Sequence, residues 1–138
     1  MMTENKYITF VSTLSGTEIK VPVEVFRKFI TTDYEPQPYW YHKPKYKKLI
    51  EKYLDLNGDE DKLNEEEKKQ IKYYMLMFAE NIAFSSYLML LEKTKNKMKQ
   101  ELFMKKQLEM LEKIRKVYKE GTIDDLYEIC QEYGIDPI

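Results

Sequence analysis

Apolar residues run almost without interruption from Tyr73 to Leu91, YYMLMFAENIAFSSYLMLL, a stretch with no Pro or Gly and with Glu80 as its only formal charge. They go nearly all the way round a helix, so such a helix is either enclosed by other elements or spans a membrane. Its start is marked upstream. Asn64 has the chemistry of an N-cap, Glu67 completes a capping box, and Glu65, Glu66 and Glu67 suit the positive end of the helix dipole. The pattern predicts a central helix over 65–94.

On either side the periodicity changes. Residues 6–21 alternate, with Ile8, Phe10 and Ser12 on one face and Tyr7, Thr9, Val11 and Thr13 on the other, and Ser15-Gly16 falls between two β-rich runs. This predicts a β-hairpin, which needs a partner surface to be stable. Pro22 suits the first turn of a short helix carrying Val25, Phe26, Phe29 and Ile30 and ending near Thr31-Thr32. Residues 33–48 then break the pattern. Pro36, Pro38 and Pro44 argue against regular helix and for an ordered connection, followed by a helix from about Lys45 to Leu54 with Tyr46, Leu49, Ile50 and Tyr53 on one face. Residues 55–63 read as an acidic loop.

Beyond a break at Lys95-Asn96-Lys97, residues 97–119 form an amphipathic helix. Phe103, Met110, Ile114 and Val117 make one row, and Met104, Leu108, Leu111 and Tyr118 the next. That wide face serves either the chain itself or a homodimer. Gly121 suits the position after this helix, Thr122 caps a last helix ending near Tyr133, and Gly134 stops it. The sum is a mainly α (α+β) fold in one domain, 1–138: an N-terminal hairpin on a bundle of four to five helices around the central helix.

Composition narrows the classes. Of 138 residues 43% are hydrophobic and 34% charged, with 23 Lys plus Arg against 24 Asp plus Glu. That balance argues against a dedicated nucleic-acid-coating or membrane-surface protein. A central acid in a membrane span costs roughly 2.5–3.5 kcal/mol, which favours a core helix over a span and no membrane partner. The single Cys130 and the absence of a signal-peptide pattern fit a reducing, cytoplasmic setting. The 12 Tyr, together with abundant Lys, Ile and Asn, suggest an A/T-rich genome.

Two loops carry candidate chemistry. The first is the aromatic, proline-rich and basic stretch with Tyr34, Tyr39, Trp40, Tyr41, His42, Lys43, Lys45, Lys47 and Lys48. Its rings suit a protein interface, or cover one end of the core, and rings interleaved with lysines suit nucleic acid. The second places Asp55, Asn57 and Asp59 at positions 1, 3 and 5 and Glu66 at position 12 of an EF-hand spacing. Its D-x-N-G-D opening resembles the calcium loops of dockerins, which implies calcium as ligand. Glu60 and Lys62 stand where that pattern has Gly and an apolar residue, and a polar turn before a capped helix accounts for the same residues. Catalysis has less support. One His excludes a multi-His metal site, no Gly-rich phosphate loop occurs, and Cys130 sits on an apolar helix face. The hairpin followed by VPVEVFRKF resembles small accessory proteins of phages and mobile elements. The expectation is a non-catalytic protein, an inhibitor or adaptor such as an anti-defence protein, that binds another protein through the aromatic loop. The alternatives are nucleic-acid binding through 39–48 and calcium-dependent regulation through 55–66.

Overall fold

The computed structural model describes residues 6–13, 15–29, 39–57 and 59–137, with the side chains of 39–43 left out. Two antiparallel strands, β1 (Tyr7–Val11) and β2 (Glu18–Pro22), precede five helices: α1 (Val23–Phe29), α2 (Tyr39–Asp55), α3 (Glu65–Lys93), α4 (Lys97–Glu120) and α5 (Ile123–Glu132). A single 3-10 turn, Glu60–Lys62, lies between α2 and α3.

The hairpin follows the alternation of its sequence. Ile8 and Phe10 turn inward and Tyr7, Thr9 and Val11 outward, while Ile19 and Val21 are buried on the opposing strand. Gly16 takes φ +71°, a left-handed conformation natural to glycine, and its N–H donates to the Ser12 carbonyl at 2.9 Å. Pro22 is not in a helix but ends β2, opposite Tyr7. The next rung, Val23 N–H to Lys6 C=O at 3.0 Å, shows why it is tolerated. Tyr7 and Pro22 form a non-hydrogen-bonded pair, where a missing N–H breaks no rung.

α3 is the axis of the fold. Its capping box is formed in both directions: Glu67 N–H donates to Asn64 Oδ1 at 2.7 Å and Asn64 N–H to Glu67 Oε1 at 3.2 Å. Ile71, Tyr74, Met75, Leu76, Ala79, Glu80, Ala83, Phe84 and Tyr87 are all buried. Within the apolar stretch 73–91 the exposed positions are Asn81, Ser85 and Met89, a stripe spaced by one helical turn. α3 is long and apolar enough to cross a membrane by length and composition. In the fold it is lined by α1, α2, α4, α5 and β2.

The aromatic residues join these layers. Phe10, Phe26 and Phe29 converge on Phe84 with ring centroids 5.2–5.4 Å apart, and Phe29 stacks on Tyr87 at 5.2 Å, so hairpin, α1 and α3 share one cluster. Each such ring pair adds about 0.5–1.5 kcal/mol beyond the area it buries. On the other side Tyr46 of α2 stacks on Tyr74 at 5.6 Å. Buried tyrosines also find partners for their hydroxyls. Tyr53 donates to Asp124 at 3.0 Å and Tyr74 to the Pro137 carbonyl at 2.9 Å. Tyr46, Tyr53 and Tyr74 thus fill the core with their rings, while the oxygens of Tyr53 and Tyr74 tie separate segments together.

α2 begins six residues before the helix expected at Lys45, and it includes Pro44. A proline ring removes one rung and costs about 3 kcal/mol inside a helix. Close to the N-terminus only one bond is lost, and burial of Tyr46, Ile50 and Tyr53 on the inner face outweighs it. α4 spends its apolar face within the chain. Met110, Leu111 and Ile114 are buried and Phe103, Met104, Leu108, Val117 and Tyr118 pack on the core, leaving Met98 and Leu102 on the surface. α5 ends in a Schellman motif. Ile135 N–H bonds to the Cys130 carbonyl at 2.8 Å and Gly134 N–H to that of Gln131 at 3.0 Å, with Gly134 at φ +71°.

Glu80 has a definite role. It is buried, Arg115 of α4 donates to its Oε1 from Nε at 3.1 Å, and Nη2 of the same guanidinium forms an ion pair with that oxygen at 3.0 Å. The same guanidinium donates to the carbonyls of Lys28 and Phe29, at 3.3 and 2.8 Å, which closes the C-terminus of α1. One side chain therefore fastens α1, α3 and α4.

Candidate binding site

The first turn of α2 is built from Tyr39 to Lys43, so the backbone of the aromatic stretch from Tyr39 onward is helical. Tyr34 lies outside the described residues, as do the side chains of Tyr39, Trp40, Tyr41, His42 and Lys43. Further along α2, the inner face is fixed by Tyr46, Ile50 and Tyr53, and helical geometry turns Lys45, Lys48 and Lys52 into one row on the outer face. Lys45 and Lys48 are exposed, and so is Lys47 beside them.

That row borders a cleft of about 540 Å³ between α2 and α3, lined by Pro44, Lys45, Lys48, Leu49, Lys52 and Gln70. Pro44 and Leu49 give it apolar surface and the three lysines a basic rim, and among the described residues no carboxylate lines it. Lys52 also reaches out of the cleft to Glu67 at 2.7 Å. The Lys52 hydrogen bond, with help from the Asn64 N–H, holds the Glu67 carboxyl below the usual range. Sequence reasoning singled out Lys45, Lys47 and Lys48 but not Leu49, Lys52 or Gln70. The spacing of Lys45, Lys48 and Lys52 by three and four residues was the available signal once the helix was known to include Pro44.

Of the four residues at EF-hand spacing, Asp59 and Glu66 make local hydrogen bonds. Asp55 ends α2, and Asn57 adopts φ +55° to make the turn. Asp59 caps the 3-10 turn by accepting from Asp61 N–H at 3.2 Å. Glu66 lies on α3 and accepts from Gln70 at 3.0 Å. Glu60, at the position where the calcium loop has glycine, accepts from the Ile123 N–H at 3.0 Å and so helps start α5. The described residues contain no group of three or more His, Cys, Asp or Glu side chains placed to hold a metal ion.

The strongly perturbed groups are structural in their surroundings. Burial, and then the hydrogen bond to Asp124, raises the Tyr53 phenol well above the ordinary tyrosine value. Burial pushes the Cys130 thiol up to about 11, and its side chain is fully enclosed. A thiol of that kind behaves as a small apolar group. Comparison with protein-family models, with curated proteins and with solved structures finds no match to this chain.

Proposed function

We propose that the protein is a small, non-catalytic, cytoplasmic interaction protein that binds an acidic segment of another protein in the α2–α3 cleft. An inhibitor or adaptor is the kind of activity such a surface serves. The observation that carries the reading is the lining of this cleft: apolar surface from Leu49 and Pro44, three lysines at the rim, of which Lys52 is paired with Glu67, and no acid among the described lining residues. An apolar anchor flanked by carboxylates matches it, since charge complementarity selects the partner while the buried anchor supplies most of the affinity. The backbone of Tyr39–Lys43 continues α2 on the N-terminal side of this cleft, and the proposal includes Tyr39 and Trp40 in the same surface. The engagement of Cys130 and Tyr53 in the core supports a binding role over a chemical one.

The test is affinity capture from the source cells with three baits in parallel: wild type, K45E/K48E, and Y39A/W40A. The expected result is a protein held by wild type and lost from both variants, while the circular dichroism of all three stays the same. A partner retained by all three baits refutes the surface. Gel shifts at low salt form the second arm. Nucleic-acid binding with steep salt dependence, abolished in K45E/K48E, would move the reading to a nucleic-acid-binding accessory protein.

A further inference from the structure

A second cleft, of about 560 Å³, lies at the corner where α3, the end of α4 and the start of α5 meet. Its lining holds Lys68, Lys69 and Lys72 of α3 and Lys119 of α4, against two carboxylates, Glu60 and Glu65. Both acids are engaged. Glu60 accepts from the Ile123 N–H at 3.0 Å, and Glu65 accepts from Lys68 at 3.3 Å. Among the described lining residues there are two more lysines than carboxylates, and none of them also lines the α2–α3 cleft.

Lys72 is the central group. Its ammonium donates to the Gly121 carbonyl at 2.7 Å and stands 5.7 Å from the centre of the Tyr118 ring. Among the described residues no carboxylate forms an ion pair with it. Burial holds this ammonium below the ordinary lysine value, partly offset by the charge of Glu60. A half-desolvated cation satisfied by a carbonyl and a ring gains more from a bound anion than a fully hydrated one does. The backbone donors at the start of α5 are not what attracts an anion here. Glu60 takes the Ile123 N–H, and Thr122 Oγ1 takes that of Asp125 at 3.1 Å. The attraction comes from the lysine side chains, which bind phosphoryl oxygens as point charges.

We propose that this cleft binds a small phosphorylated molecule bearing at least two phosphoryl groups, such as a diphosphate or a nucleoside polyphosphate. The excess of two lysines matches a polyanion better than a single charge. The volume falls within the range of about 300–1,000 Å³ usual for small-ligand sites. The inference is independent of the α2–α3 surface and stands or falls separately.

The experiment is calorimetric titration of the full chain with sodium pyrophosphate and with ATP at low ionic strength, where such contacts are least screened. Wild type, K69A/K119A and K45E/K48E are compared. Lys69 and Lys119 are exposed, and circular dichroism checks that K69A/K119A keeps the fold. The expected result is saturable one-to-one binding of at least one probe, at least about tenfold weaker in K69A/K119A and unchanged in K45E/K48E. Equal affinity for both probes assigns recognition to the phosphoryl groups, and preference for ATP adds the nucleoside to the ligand. The proposal is overturned by no saturable heat with either probe, or by K69A/K119A binding as well as wild type. It is also overturned if a single-stranded oligonucleotide binds more tightly than ATP through the same lysines.

Discussion

Replacing Arg115 by Met tests whether one guanidinium fastens three helices. The Glu80 side chain is 6% exposed and the Arg115 side chain 26%, and two guanidinium nitrogens lie 3.0 and 3.1 Å from a single carboxylate oxygen. Removing one partner of a buried ion pair costs about 3–5 kcal/mol, because the remaining charge stays away from water. Arg115 is partly accessible, so water restores some hydration and the lower end, about 3 kcal/mol, applies. The substitution also strips the donor from the Phe29 carbonyl, bonded at 2.8 Å, for about 1 kcal/mol more. The expected loss for Arg115→Met is then about 3–4 kcal/mol, out of the 5–15 kcal/mol typical of a domain. Glu80→Met acts differently. It removes the buried charge and leaves Arg115 bound to the α1 carbonyls, at a cost of about 1 kcal/mol. The double variant leaves no uncompensated buried carboxylate and should be about 2 kcal/mol more stable than Arg115→Met alone. Urea unfolding followed by circular dichroism measures all four proteins. An Arg115→Met loss below about 1 kcal/mol, or a double variant equal to the sum of the singles, would refute the reasoning.

Two further outcomes follow from the buried tyrosine and cysteine. The Tyr53 phenol is raised in the folded chain, first by burial and then by Asp124, while in the unfolded chain it titrates near the usual tyrosine value of about 10. A raised folded value stabilises fully below the unfolded one and is lost as pH rises beyond it, so stability should fall above about pH 10, and Tyr53→Phe should flatten that fall in alkaline urea titrations. An equally steep decline in both proteins would rule this out. Cys130, enclosed and pushed up to about 11, should not react with a thiol reagent in native buffer and should react fully in urea. Rapid native labelling would show that its enclosure is wrong.

Local chemistry was readable from the chain and long-range chemistry was not. Asn64, Thr122 and Gly134 act on residues within a few positions, and each does what its type and place suggest. The hairpin was legible for the same reason, since alternation alone sets its inward face. Pro44 misled because its local penalty is real, yet burial of Tyr46, Ile50 and Tyr53 against α3 and α5 lies outside any short window. The ties made by Tyr53 and Tyr74 are not legible locally, because their hydroxyl partners, Asp124 and Pro137, are 71 and 63 residues away. Glu80 had a signal that went unused. Arg27 and Arg115 are the only arginines in a lysine-rich chain, and a fork of donors is what a buried carboxylate requires. Of the candidate surfaces, Lys45, Lys47 and Lys48 were visible as a run of charge. The meeting of Lys119 with Lys68, Lys69 and Lys72 depends on α4 returning alongside α3.

The uneven burial of α4 gives the bundle a gradient of cohesion. Its enclosed residues, Met110, Leu111 and Ile114, lie in the C-terminal half, while Met98 and Leu102 near its start face outward. Opening of the first two turns would therefore break few enclosed contacts, whereas opening near Arg115 would release α1 and α3 together. Amide protons of α4 should accordingly leave in sequence from the N-terminal end, with the second half exchanging only when the whole domain comes apart. The helix thus serves as a hinge-like fringe at one end and as the keystone at the other.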